Sequence, residues 1–172
     1  MLSGRFSPAG FEPGRAVDAT TLAVLLDAAR WAPSAGNSQP WGFFPALRGT
    51  PEFARLAPYL ARSSARWALD AGLLIVTAVR RFVEDPAFPY SEFSDYDLGQ
   101  AVAHLTIQAQ VLGLSSHQFR AFDLEGLARE LRPRRGWEIV SMIAIGHAAG
   151  RPTAPRDRRS AELICSEPWE PA

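Results

Sequence analysis

The chain has 172 residues, 47% of them hydrophobic and 21% charged, the make-up of one ordinary globular domain over 1–172 with no room for a second catalytic domain. Eighteen basic residues balance eighteen acidic ones, so no net field gathers nucleic acid or an anionic membrane, and all the basic residues are arginine, which excludes Schiff-base lysine chemistry and a Walker-type phosphate loop. A single cysteine, Cys165, excludes an internal disulfide framework and a thiolate-clustered metal site, and with no signal-like or membrane-spanning apolar run a cytoplasmic protein is expected.

Taken along the chain, Asp18 is a capping residue that runs into Leu22, Leu25, Leu26 and Ala29 at helical spacing. That helix stops at Ala32-Pro33, and the turn-rich loop Pro33–Pro40 leads into a strand over Trp41–Phe44. Thr50 caps a short helix with Pro51 at its first position and Phe53, Leu56 and Leu60 turned inward. A further stretch over Ser64–Ala71 feeds the apolar strand Leu73–Val79. Glu84–Asp95, rich in proline, aromatics and acids, reads as a surface excursion or lid. The strongest helical periodicity follows, from Leu98 through Ala101, Val102, Leu105 and Ala109 to Leu112, with Gly113 as terminator. Asp123–Leu131 is a shorter helix, Trp137–Ile145 a second buried strand, and the tail after Gly146 is rich in proline and arginine. Strands separated by more numerous helices imply an α+β protein with a small central sheet.

The familiar catalytic spacings are absent. His104, His117 and His147 fall on a helix, in a loop and after a strand, with neither a second histidine nor a carboxylate at metal-ligand spacing. There is no G-x-S-x-G elbow and no G-x-G-x-x-G after a strand. Asp95 and Asp97 stand two apart, and helix capping accounts for Asp97 more simply than acid–base work. Two features suit a flat, anionic ligand. Arg5 and Ser7 near one end and Arg156, Arg158 and Arg159 near the other could fork a phosphate, though a solvated basic tail has the same composition. The loop Pro33–Trp41 could line the edge of a ring system, or be turn chemistry alone.

Four blocks in order carry a resemblance: Trp31-Ala32-Pro33-Ser34-Ala35-Gly36-Asn37-Ser38-Gln39-Pro40-Trp41, Tyr96-Asp97-Leu98-Gly99-Gln100-Ala101, Leu112-Gly113-Leu114 with Phe122-Asp123, and the strand ending Ile145-Gly146. The chain resembles the FMN-dependent nitroreductase superfamily from about Arg5 to Arg158. The resemblance implies an α/β/α sandwich with a small, mostly antiparallel sheet, working as an intertwined homodimer with FMN at the subunit interface. Arg5, Phe6 and Ser7 match the family's N-terminal phosphate and ribityl segment, and Arg156 and Arg158 its C-terminal phosphate ligands. Pro33, Ser34 and Ala35 match the segment that borders the isoalloxazine, usually from the partner subunit, and Asn37 and Gln39 hold that loop. Arg120-Ala121 matches the position whose backbone N–H points at flavin N5, and the helix Leu98–Leu112 the dimer-core helix, although a monomer's core helix has the same spacing. Nothing then demands a catalytic side chain: NAD(P)H delivers hydride to N5 and leaves, and a small electron-poor acceptor, a nitroaromatic or quinone, takes its place.

The sequence also departs from the family. Where basic residues commonly flank the serine, this chain has Phe6 and Ala9, so a cation near the N1/O2 edge of the ring is missing unless Arg66 or Arg120 replaces it. Ala121 stands where glycine is common, and alanine keeps the N–H while disfavouring positive φ. These departures leave two alternatives to an NAD(P)H-dependent reductase: a flavin-dependent dehydrogenase or oxidase of a small metabolite, and a non-catalytic flavin-binding protein.

Overall fold

The structure, a computed structural model, describes residues 2–82, 90–153 and 156–166. Ten elements follow one another: α1 (Ala19–Arg30), β1 (Trp41–Leu47), α2 (Pro51–Leu56), α3 (Arg62–Ala68), β2 (Leu73–Arg80), α4 (Ser94–Val111), β3 (Ser115–Phe119), α5 (Leu124–Leu131), β4 (Trp137–Gly146) and α6 (Ala161–Ser166). The four strands form one sheet in the order β1-β2-β4-β3, with every pairing antiparallel. Pro45 lies within β1, which is possible because β1 is an edge strand and proline has no N–H to give to a second neighbour.

Alternation along the central strands builds two cores. Leu73, Ile75 and Val79 of β2 with Ile143 and Ile145 of β4 face α1 and α4, while Leu74 and Val76 with Met142 and Ala144 face α2, α3 and α5. Helices on both faces of a small antiparallel sheet give the α/β/α sandwich. The register shifts between Thr77 and Ala78 opposite β4, because Thr77 pairs with Ser141 and Ala78 with Ile139, leaving Val140 as an extra residue. Thr77, fully buried, repairs the interrupted ladder: its hydroxyl lies 2.8 Å from that of Ser141 and accepts from the Ser141 N–H at 3.1 Å.

Local chemistry sets the helix ends. Asp18 accepts from Thr21 N, Thr50 from Phe53 N and Asp123 from Gly126 N, each an N-cap. At the end of α4, Gly113 takes φ +74° and Leu114 N donates to Ala109 O at 2.8 Å, a left-handed cap that suits glycine. Gly72 is needed for a different reason: a Cβ there would come within 2.8–3.0 Å of Val17 and the Arg15 carbonyl, where the N-terminal segment crosses the sheet.

Three expectations change. The long helix begins at Ser94, not after Asp97, because Ser91 supports an earlier start: its hydroxyl accepts from Phe93 N and its carbonyl from the Ser94 hydroxyl. Asp97 is therefore not a cap but a residue of the first turn, 2% exposed. His117 lies on β3 rather than in a loop; Ser115–Phe119 is a polar edge strand whose pairing comes from β4 alone and whose sequence has no apolar alternation. Of the excursion expected over Glu84–Asp95, residues 83–89, with Pro86, Phe88 and Pro89, lie outside the described residues.

Candidate functional site

The two ends of the chain meet. Arg156 Nη2 donates to the carbonyls of Leu2 at 3.2 Å and Ser3 at 3.1 Å, across more than 150 residues of sequence. The Arg156 guanidinium is held below its ordinary value by burial first, then by the positive charges of Arg158 and Arg5. Three guanidiniums close enough to repel one another suit a multiply charged anion.

Arg5, Phe6 and Arg156 line a cavity of about 650 Å³, together with Arg15, Arg151 and the β3 residues Ser115 and Ser116. Its wall carries four arginines against one carboxylate, Glu12, among the described residues. His147 also lies on it, and burial, followed by the charge of Arg15, holds that imidazole below its ordinary value of 6.5 despite the opposing pull of Glu12. Ser7 and Arg158 lie outside this wall, Ser7 exposed and Arg158 donating to the Asp157 carbonyl at 3.2 Å.

The loop after α1 is a second, separate group. None of Pro33, Ser34, Ala35, Asn37, Gln39, Arg120 and Ala121 lines the arginine cavity in the single chain. The loop is held in a conformation that side chains rarely adopt: Gly36, Asn37 and Gln39 have φ of 58°, 54° and 49°. Its internal bonds run from Gln39 N to Ser34 Oγ at 3.0 Å and from Gln39 Nε2 to Asn37 Oδ1 at 3.2 Å. Two outside residues fix it. Asp97 Oδ2 accepts from Ala35 N at 3.0 Å, and the Tyr90 hydroxyl donates to the Ser38 carbonyl at 3.2 Å, with the Arg80 guanidinium 4.5 Å over the Tyr90 ring. Ser38 Oγ is buried and has no hydrogen-bond partner among the described residues.

Arg120 and Ala121 follow β3, and the Ala121 carbonyl accepts from Ala61 N at 3.1 Å. Ala121 is exposed and is not among the residues with positive φ, so alanine sits there without strain. Arg120 places its guanidinium 5.1 Å over the Phe122 ring. From Ser116 on the cavity wall β3 runs on to Phe119, and Arg120 and Ala121 follow in a tight turn that Phe122 N closes by donating to the Arg120 carbonyl at 2.9 Å.

Between these points lies an aromatic cluster that the sequence reading did not single out. The Trp67 indole stacks on His117 at 4.2 Å and 19° and meets Phe119 edge-on at 4.9 Å. His117 Nδ1 is 2.7 Å from the Pro8 carbonyl, which can only accept, so Nδ1 carries the proton. The imidazole thereby ties β3 to the N-terminal segment that bears Arg5. The signal in the sequence was Trp67 itself, a large apolar residue beside Arg66. Among the described residues no three His, Cys, Asp or Glu side chains form a metal-sized group, and no helix is long and apolar enough to cross a membrane.

Comparison with known proteins bears on both groups. The Nitroreductase family model matches residues 2–66, which include Arg5 and the whole Pro33–Gln39 loop. A Streptomyces coelicolor protein named "Putative NADH dehydrogenase/NAD(P)H nitroreductase" is 28% identical over 165 residues, covering 84% of this chain and 80% of its own. A Rhodopseudomonas palustris protein of the same name is 26% identical over 158 residues, covering 82% and 80%. Among solved structures, an oxidoreductase containing FMN superposes with TM-score 0.80 at 28% identity, over 87% of this chain and 76% of its own. A nitroreductase family protein of Clostridium difficile has the same fold, with TM-score 0.77 at 23% identity over 95% and 93%.

Proposed function

We propose that the chain is a member of the nitroreductase family, whose model matches residues 2–66, and that it is an NAD(P)H-dependent oxidoreductase that reduces small electron-poor acceptors such as nitroaromatics and quinones. FMN is its cofactor. The residues fit that group: Arg5, Arg156 and Arg158, gathered close to one another, suit a phosphate dianion, and β3 leads from Ser116 on the cavity wall toward Arg120 and Ala121. The observation that carries the reading is the meeting of Arg5 and Arg156, from opposite ends of the chain, at one polar cavity.

Bound FMN supplies the centre that accepts and returns hydride, so reductant and acceptor use one position in turn. The protein's part is binding and orientation. With FMN bound, Arg5, Arg156 and Arg158 would hold the phosphate, Phe6 and Ser7 would serve the ribityl chain, and the Ala121 N–H, with Arg120, would serve the N5 edge of the ring. Pro33, Ser34 and Ala35 border the ring, with Asn37 and Gln39 fixing their loop, and they do so from a second subunit. That assignment agrees with the separation of the loop from the arginine cavity in one chain. A homodimer also accounts for exposed apolar side chains around the packed pair α1 and α4: Trp31 is 70%, Tyr96 67% and Val111 58% exposed.

A second reading, a dehydrogenase or oxidase reduced by a small metabolite, is favoured by one observation. Phe6 and Ala9 carry no charge where basic residues commonly flank the serine, which removes a cation expected near N1/O2. Anaerobic titration of the FMN-loaded protein with NADH and NADPH separates the two. Loss of the oxidised-flavin band within seconds is the expected result; a bound flavin that neither nicotinamide bleaches would transfer the assignment to the second reading.

A further inference from the structure

We propose that Asp97 is a positioning residue, which holds the Pro33–Gln39 loop in its ligand-facing conformation by fixing the Ala35 amide. The proposal rests on the reading of that loop as the border of the flavin ring. Asp97 is 2% exposed, in the first turn of α4, and its Oδ2 accepts from Ala35 N at 3.0 Å across 62 residues of sequence. A carboxylate withdrawn from water needs a donor aimed at it, and at the start of a helix it also meets the positive end of the backbone dipoles. The Ala35 amide is that donor. On the loop side the same bond meets a need: Gly36, Asn37 and Gln39 all take positive φ, two of them with a Cβ, so the loop does not hold this shape through backbone preference. Ala35 itself is exposed, as are Pro33, Asn37 and Gln39, so the bond is the point at which an exposed, strained turn is tied to a buried anchor.

The placement of the anchor gives it a function beyond tethering. α4 also carries Tyr96 and Val111 on its exposed side, the side assigned to the partner subunit. One residue, Asp97, thus ties the loop to the helix that sets the distance between subunits. The loop's approach to the ring is then fixed by α4 instead of by the loop's own sequence.

Three variants test this in the FMN-loaded protein: Asp97→Ala, Asp97→Asn and Ala35→Pro. Asparagine keeps an acceptor oxygen. Proline deletes the donor from the loop side, and it is tolerated there because Ala35 is the first residue of its short helical turn and Ser34 is extended at ψ 153°. In Asp97→Ala, amide exchange over the loop is expected to rise about tenfold or more, and the visible band of bound FMN to shift. There kcat with NAD(P)H should fall about tenfold while FMN affinity stays within about threefold, since the arginine cluster is untouched. Asp97→Asn should restore exchange and kcat to within about threefold, and Ala35→Pro should reproduce the kcat loss of the alanine variant. Wild-type exchange and an unshifted band in Asp97→Ala, or no rescue by asparagine, would overturn the proposal; if the alanine protein does not fold, an unchanged kcat and band in Ala35→Pro would do so. A wild-type flavin that NAD(P)H does not reduce counts against the proposed reductase instead, and the exchange and the band still decide the role of Asp97.

Discussion

Arginine supplies every fixed side-chain positive charge here, and a guanidinium does not titrate in any ordinary range. In the proposed site, holding the phosphate is therefore a matter of geometry, and removing Arg156 and Arg158 together would remove charge-assisted bonds worth about 1.5–3 kcal/mol each. The double alanine variant should bind FMN about a hundredfold more weakly or worse, as read by flavin fluorescence, while riboflavin, which lacks the phosphate, should bind it as it binds the wild type. Equal losses for both ligands would place the arginines elsewhere. His147 behaves in the opposite way. Its folded value is lowered, so the folded state favours the neutral ring. The stability this contributes is complete above 6.5 and is lost as pH falls toward the folded value. Thermal midpoints should therefore drop on acidification below 6.5, and His147→Gln should flatten that part of the profile; a profile unchanged by the substitution would assign the drop to other groups.

Among the elements, α4 has two faces with different work. Leu105, fully buried between α1 and the sheet, should cost about 2–5 kcal/mol when cut to alanine, measured by denaturant unfolding. Val111 on the other face should cost the folded subunit little, yet if the proposed homodimer forms through α4, Val111→Glu should leave monomers in sedimentation, because a charge would be buried against its own copy. A variant that stays dimeric would move the interface off α4. This helix, the capped α1, α2 and α5, and strands β1, β2 and β4 were all legible from periodicity and capping residues. What escaped was local in a different sense. β3 has the composition Ser-Ser-His-Gln-Phe and is a strand only because β4 offers it an edge. Asp97 reads as a cap because capping depends on neighbours a few residues away, whereas its actual partner, Ala35, is 62 positions distant. The candidate site was legible as two clusters in sequence, the Pro33–Gln39 block and the arginines near the two ends. The Trp67–His117 stack was not, because its members come together only when α3 packs on the sheet.

At the scale of the whole molecule, the contact of Arg156 with Leu2 and Ser3 joins the two ends of the described chain. A ligand bridging Arg5 and Arg156 would close that circuit and act as a removable clasp, stabilising the folded state in proportion to the logarithm of its concentration over its Kd. The ends of a protein are usually where fraying and nicking begin. Here the segments that bear Arg5 and Arg156 would loosen together when the clasp is empty and be held together when it is filled. Exposure to a protease specific for arginine would then report occupancy of the proposed phosphate site: Arg156, Arg158 and Arg159 offer cleavage points that a bound phosphate would conceal, whereas the bond after Arg151 leads into Pro152 and resists cleavage, so that the life of this segment would be set by the supply of flavin.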